Sequence, residues 1–383
     1  MDSVDRERYT LDGPPGAEHR IANDQAIIGA AVRDAVSSTH LVALVLAGGY
    51  GRGEGGYRLN GDAFLPYNDY DYFVIVRGGR SAARQATATL SELAHRLEAQ
   101  IGVEVDFAVL RQSRLRRLDF TLMYAELRHG HKVVMGDPDV LARMPSMPVE
   151  DVPLSEFSRL MLNRGSLLLM NRQVLQQGGP RDDQALECFG RYLDKALLAC
   201  ADARLAAAGR YHPSYMIKRQ RLDSLRWSGS RDFMTRYDKA LRSRAGQVSC
   251  GALVGREADA QAVAVADWLE ALVELETARL GKLPEWKEYS SARIGKGQSA
   301  AGPMGLLRNL AVTMRDFGPA ELVRNISWAL RYPRERLISV LPALLEPTID
   351  VPNGVLADAL AQPGGAGRAA LNDQFLRFWA RYN

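Results

Sequence analysis

The sequence is poor in cysteine, in long apolar runs and in net charge. Its 383 residues contain only three cysteines, Cys188, Cys200 and Cys250, and no CxxC pair. A disulfide framework has nothing to build on, and a reduced, cytoplasmic setting is the plain expectation. No uninterrupted apolar stretch approaches the ~20 residues that span a bilayer. Met1–Asp12 is charged rather than apolar, so no secretory signal is in view and no membrane partner is expected. A formal net charge of +4 is too small a surplus to demand a nucleic-acid partner, although it suits anionic small substrates. No Gly-Lys-Ser/Thr and no Gly-x-Ser-x-Gly occurs. A Walker P-loop and a nucleophile-elbow hydrolase are thereby set aside.

What remains is an ordinary globular composition, 46% hydrophobic and 25% charged, in a chain long enough for more than one core. The patterning changes near residue 150. Before it, Leu41–Leu46, Asp71–Val76 and Val103–Leu110 read as strands between helical segments, the first of which should be capped by Asn23 and Asp24 and run to about Val36. After it, Leu154–Gln177, Asp182–Ala208 and Glu257–Leu280 are helical and strand-like runs disappear. The expected class is α+β: a mixed sheet with helices, followed by an all-helical part. Residues 1–22 read as an arm, 23–150 as the α/β domain and 151–292 as a helical domain. Residues 293–383 read as a helical extension behind the Gly-rich linker Arg293–Pro303.

The most informative segment is Leu46-Ala-Gly-Gly-Tyr-Gly-Arg-Gly-Glu54. Glycines at Gly48, Gly49, Gly51 and Gly53 allow backbone amides to approach a ligand closely, an arrangement suited to phosphate oxygens, and Arg52 adds a cation. A dinucleotide-binding fingerprint would need these glycines to open a helix, yet Tyr57–Asn68 holds Gly61, Pro66 and Asn68 without helical period. The next signal is Asp69-Tyr-Asp71 at the start of a strand. Alternation puts both carboxylates on one face, their Cα atoms ~6.5–7 Å apart. Like charges this close repel unless a cation intervenes, and Mg²⁺ (or Mn²⁺) suits hard oxygen ligands. An isolated Asp-x-Asp is usually just an exposed strand end. Here the upstream glycine loop, the apolar Tyr72–Val76 that fixes the strand, and Asp106 inside another strand favour a three-carboxylate cup. Glu104 is the runner-up for the third place.

These residues resemble the nucleotidyltransferase superfamily that includes DNA polymerase beta. Ala47-Gly48-Gly49, Asp69-Tyr70-Asp71 and Asp106 fill that family's pattern. The glycine loop and Leu65-Pro-Tyr-Asn-Asp69 are similar to the uridylyltransferase acting on nitrogen-regulatory proteins. Glu126–Pro138 is similar to the end of the minimal domain in small-molecule and antitoxin-type members. The resemblance spans roughly residues 24–145, with Gly55–Phe64 reading as an insertion. It implies transfer of a nucleoside monophosphate from an NTP to a hydroxyl or similar acceptor, with pyrophosphate leaving. On this reading Asp69, Asp71 and Asp106 are the catalytic and metal-binding residues, with two Mg²⁺ ions expected. Gly48, Gly49, Tyr50 and Arg52 would hold the nucleotide.

Other candidates carry weaker signals. Tyr211, near the Gly209 break, could add a stacking surface and Lys195, on the preceding helix, a cation, but solvated lysines and packed tyrosines are common. The basic run Arg111–Arg117 reads as a solvated surface more readily than as a backbone-binding patch. His129 and His131 lack a third zinc ligand. Two other function classes stay open: a nucleotide-sugar glycosyltransferase using Asp69 and Asp71, and a non-catalytic nucleotide-binding module.

Overall fold

The computed structural model describes residues 8–227, 229–246, 253–299 and 302–382. In chain order the first part contains α1 (Pro15–Ala35), β1 (Leu41–Leu46), α2 (Gly48–Arg52), β2 (Tyr57–Asn60), β3 (Ala63–Pro66), β4 (Tyr70–Val76), α3 (Arg80–Ile101), β5 (Val105–Arg111), α4 (Leu122–His129) and β6 (Lys132–Gly136). Then come α5 (Leu154–Gln176), α6 (Asp183–Ala207), α7 (Tyr215–Ser224), α8 (Ser230–Arg244) and α9 (Glu257–Leu280). Further helices, among them Pro333–Leu345, continue to Tyr382. The architecture is α+β, with a small mixed sheet near the N-terminus and helices after it.

Two compact units form, and they are not serial. One comprises Met1–Pro153 together with Tyr211–Ser249; the other comprises Leu154–Arg210 together with Cys250–Asn383. The first division, between Pro153 and Leu154, falls near the change of pattern at residue 150. The expected continuous helical domain 151–292 is interrupted, because Tyr211–Ser249 returns to the sheet-bearing unit. Residues 293–383 are part of the second unit rather than a separate extension.

In the first unit the strand order is β5-β4-β1-β6, with β4 and β5 parallel and β1 antiparallel to both β4 and β6. Helix α3 makes the crossover that a parallel pair needs. Leu44, Leu46, Tyr72, Val74 and Val76 point to one face, where Ile21, Ile28 and Val32 of α1 and Leu90, Leu93 and Leu97 of α3 close the core. Asp71 and Asp106 have the opposite parity and face away from that core.

Helix α1 starts earlier than its Asn23–Asp24 signal suggests. Pro15 opens it, where a missing N–H costs nothing. Asp24 is instead buried inside the helix, accepting from Arg20 at 2.9 Å and from the Tyr70 hydroxyl at 3.0 Å. The described part of the N-terminal arm is docked: Glu18 accepts from the Tyr9 and Thr10 amides, and Thr10 bridges Gly55. Residues 1–7 of that arm lie outside the described residues. The insertion at 55–64 belongs largely to a β2–β3 hairpin turning at Gly61, where φ is +61°.

The second unit is built on α5, α6 and α9. Trp268 of α9 is buried against Gly165 of α5 and donates to the Met161 carbonyl at 2.9 Å. Its Gly-rich segment is fastened rather than linker-like. Glu335 accepts from the amides of Lys296, Gln298 and Ser299, while Lys296 Nζ donates to the carbonyls of Tyr289 and Ile294. Cys188 and Cys200 are free thiols, Cys200 buried, and Cys250 lies outside the described residues. Among the described residues no helix is long and apolar enough to cross a membrane.

Candidate metal centre

The site is made where two parallel strands begin. Tyr70 donates its amide to the Glu104 carbonyl at 2.9 Å, which sets the register, and Asp71 then stands opposite Asp106. Asp69 lies one residue before β4. One carboxylate oxygen from each of Asp69, Asp71 and Asp106 falls within 4.8 Å of the others. Asp69 and Asp106 are exposed and Asp71 is half-buried. Glu104, the alternative third ligand, is outside this group.

Three acids at this separation disfavour one another's ionisation. Burial, then repulsion from Asp69 and Asp106, pushes the Asp71 carboxyl up to about 7, against the opposing pull of Arg244 and Arg52. Burial, followed by repulsion from Asp69 and Glu98, also raises Asp106. A divalent cation would remove this mutual penalty. The donor set is all carboxylate oxygen, with two of the three acids open to solvent, and it fits a hard cation that keeps water or phosphate in its remaining positions.

The glycine segment lies directly against these acids. Ala47 donates its amide to the Asp71 carbonyl at 2.8 Å, and the chain turns into the single helical turn α2. Gly48 has φ +61°, and a Cβ there would sit 2.2 Å from Asp71 Oδ2. Only glycine lets the carboxylate lie this near the turn. The open loop expected from four glycines is thus a short helix, whose first amides have no carbonyl within it to bond.

Two loop residues have structural duties that their sequence context did not suggest. Tyr50 is buried; its hydroxyl donates to the Gly56 carbonyl at 2.6 Å and accepts from the amides of Tyr67 and Asn68 at 3.1 and 3.2 Å. It shapes the approach to Asp69 and presents no surface to a nucleotide. Arg52, expected as a free phosphate cation, is largely buried and paired with Glu126 at 3.4 Å and Glu54 at 3.7 Å. Burial pushes the Glu126 carboxyl up, but Arg52, Lys218, the Tyr211 hydroxyl and Arg244 outweigh it and hold it below its usual range.

The same network fixes the returning segment. Tyr211 is buried and donates its hydroxyl to Glu126, while Ser214 Oγ and the Tyr215 amide donate to Glu54 at 2.7 and 3.0 Å. Tyr211 is therefore a packing residue, not an exposed stacking platform. His129 packs edge-on to His212, with ring centroids 4.8 Å apart, and burial, then the neighbouring His129 and cations, hold His212 at about 4. His131 contacts the Leu127 carbonyl at 2.9 Å. Lys195 belongs to α6 of the second unit, outside the unit that carries the carboxylates.

One site residue had no sequence signal. Arg244, the last residue of α8, brings its guanidinium to 2.9 Å from where a Gly49 Cβ would be and lies 4.9 Å over the Tyr215 ring. Its Nε is buried without a hydrogen-bond partner. It occupies the place beside the glycine turn that Arg52 was expected to fill. No family model, curated protein or solved structure matches this chain.

Proposed function

We propose that the chain is a metal-dependent nucleotidyltransferase, moving a nucleoside monophosphate from an NTP to a hydroxyl or similar acceptor on a small molecule, sugar or protein. The observation that carries this reading is the convergence of Asp69, Asp71 and Asp106 beside a glycine turn. Asp69 and Asp71 would hold one Mg²⁺ or Mn²⁺, and a second would be shared with Asp106. Bound there, the ions would neutralise phosphate charge and acidify the acceptor hydroxyl.

The chain's own residues supply positioning and the remaining charge, which is most of what an in-line displacement at phosphorus needs. The amides at Gly48 and Gly49 would receive the β- and γ-phosphates, with the Arg244 guanidinium next to them as the fixed cation. Asp106, on an edge strand, would take the acceptor's proton as general base. On this reading the Arg52–Glu54–Glu126 group, which ties the glycine turn to the start of α7, would position the phosphate site rather than bind the substrate.

The experiment is a panel of the four NTPs with Mn²⁺ or Mg²⁺, read by thermal shift and by pyrophosphate release with candidate acceptors. Binding of at least one NTP that needs the divalent ion and is lost in Asp69→Asn/Asp71→Asn is expected. Asp106→Ala should abolish transfer while sparing much of the binding. Turnover of Asp106→Ala at the wild-type rate would sink this assignment of roles.

A further inference from the structure

The end of the sheet opposite the carboxylates carries a second feature, which does not rest on the reading above. Strands β4 and β5 stay in register from Asp71–Asp106 to Val76–Arg111, about 16 Å further along at ~3.3 Å per residue. Beyond that point the chain encloses a cleft of about 370 Å³. Its walls come from three places: the turn after β4, the 3₁₀ turn Gln112–Arg117 after β5, and the 3₁₀ turn Val140–Arg143.

Four arginines line this cleft, Arg77, Arg116, Arg117 and Arg143, together with Gly78, Gln112 and Ser113, and no acidic residue is among them. Arg143 is tied to Asp137 at 3.4 Å. Among the described residues Arg77, Arg116 and Arg117 form no ion pair. Sequence accounts for only part of this clustering, since Arg77 and Arg143 reach the 3₁₀ turn from distant segments. Like charges gathered around one concavity repel, and a multivalent anion relieves that repulsion. The planar guanidinium fork matches phosphate oxygens in particular. A bounded cleft of this volume lies within the range of small-ligand sites. It is not the extended charged groove that follows a nucleic-acid backbone.

We propose that this cleft binds a compact, phosphate-rich ligand, a polyphosphate or a small multiply phosphorylated metabolite, at a site separate from the carboxylates. Calorimetric titration of the full chain with inorganic tripolyphosphate in excess EDTA tests it, because the acids have no divalent ion under those conditions. Wild type and Asp69→Asn/Asp71→Asn should bind equally. Arg77→Gln/Arg116→Gln/Arg117→Gln should bind about tenfold or more weakly. All three arginines are exposed, so an unchanged melting temperature is expected for the variant, and Arg117→Glu alone provides a second, smaller perturbation that should also weaken binding. A comparison with inositol hexakisphosphate separates the two sources: tighter binding of the carbon-framed ligand indicates a metabolite, tighter tripolyphosphate binding a polyphosphate. Absence of binding by wild type, or undiminished binding by the triple variant, overturns the proposal. So does an affinity for single-stranded oligonucleotides that rises with their length beyond that for tripolyphosphate.

Discussion

Gly48 and Asp71 share a space that cannot hold one more carbon: a Cβ at Gly48 would lie 2.2 Å from Asp71 Oδ2. The backbone at Gly48 is also left-handed, with φ +61°. Gly48→Ala should therefore do two separable things. The left-handed alanine costs about 1 kcal/mol, and displacement of the Asp71 side chain adds to it, so urea unfolding should show a loss of roughly 1–3 kcal/mol. The displaced carboxylate should also weaken Mn²⁺ binding, read by the ion's stabilisation of the fold. An alanine variant with wild-type Mn²⁺ affinity would show that Asp71 does not depend on this close approach.

The acid cluster predicts a pH dependence of the metal-free protein. Asp71 is raised to about 7 from its ordinary value near 3.8, and Asp106 is also raised. Between these limits the folded state holds more protons than the unfolded state, so this contribution to stability is full below pH ~4 and is lost as pH climbs through 7. In EDTA, unfolding free energy should fall across this window, and Asp71→Asn should flatten the fall. Mn²⁺ should reverse it, stabilising the protein more at pH 7.5 than at pH 5. A metal-free profile identical in wild type and Asp71→Asn would remove the electrostatic basis for a cation site.

How much of this was readable in the chain depends on the range of the interaction. β1 and the long helices α5, α6 and α9 stood out because burial on fixed periods is a local property. The Asp69–Asp71 pair was visible for the same reason, and Asp106 as a carboxylate inside an apolar strand. The pairing that completes the cluster, Asp71 opposite Asp106, needed the parallel register of β4 and β5. The roles of Arg52 and Arg244 were illegible, because they are decided by which helix returns to the sheet. Glu126 and Tyr211 close around Arg52, and α8 delivers Arg244 from nearly two hundred residues away. The start of α1 was misplaced because Asn23 and Asp24 look like caps, whereas Pro15 fixes the first turn.

The buried Arg52–Glu126 pair should matter to stability more than to chemistry. Arg52 is one-tenth exposed and Glu126 about one-quarter, so removing one partner strands a poorly solvated charge. Glu126→Leu should cost ~3 kcal/mol, near the low end for broken buried pairs because Glu126 keeps some contact with water. Arg52→Met/Glu126→Leu should recover part of that loss, since no guanidinium is then left short of Glu126, but only part, because buried Glu54 loses its cation. Urea denaturation of the two single variants and the double variant gives the coupling. Additive losses with no recovery would mean that the pair does not interact as its geometry indicates.

Arg244 makes the opposite prediction. Its guanidinium borders the glycine turn at Gly49 and its Nε lacks a partner, so a bound phosphate would supply what the protein leaves unsatisfied. A hydrogen bond to a charged group is worth roughly 1.5–3 kcal/mol, which corresponds to a 10- to 100-fold weaker NTP affinity in Arg244→Gln. Arg244 also opposes the upward push on Asp71, so the variant's metal-free loss of stability should start at the same pH as in wild type but continue to higher pH. Arg244→Lys should restore the charge but not the fork, and recover only part of the nucleotide affinity. The deciding comparison is NTP affinity against folding stability. Loss of both in proportion would make Arg244 a structural strut over Tyr215, whereas loss of affinity in a protein that melts normally places it at the phosphates.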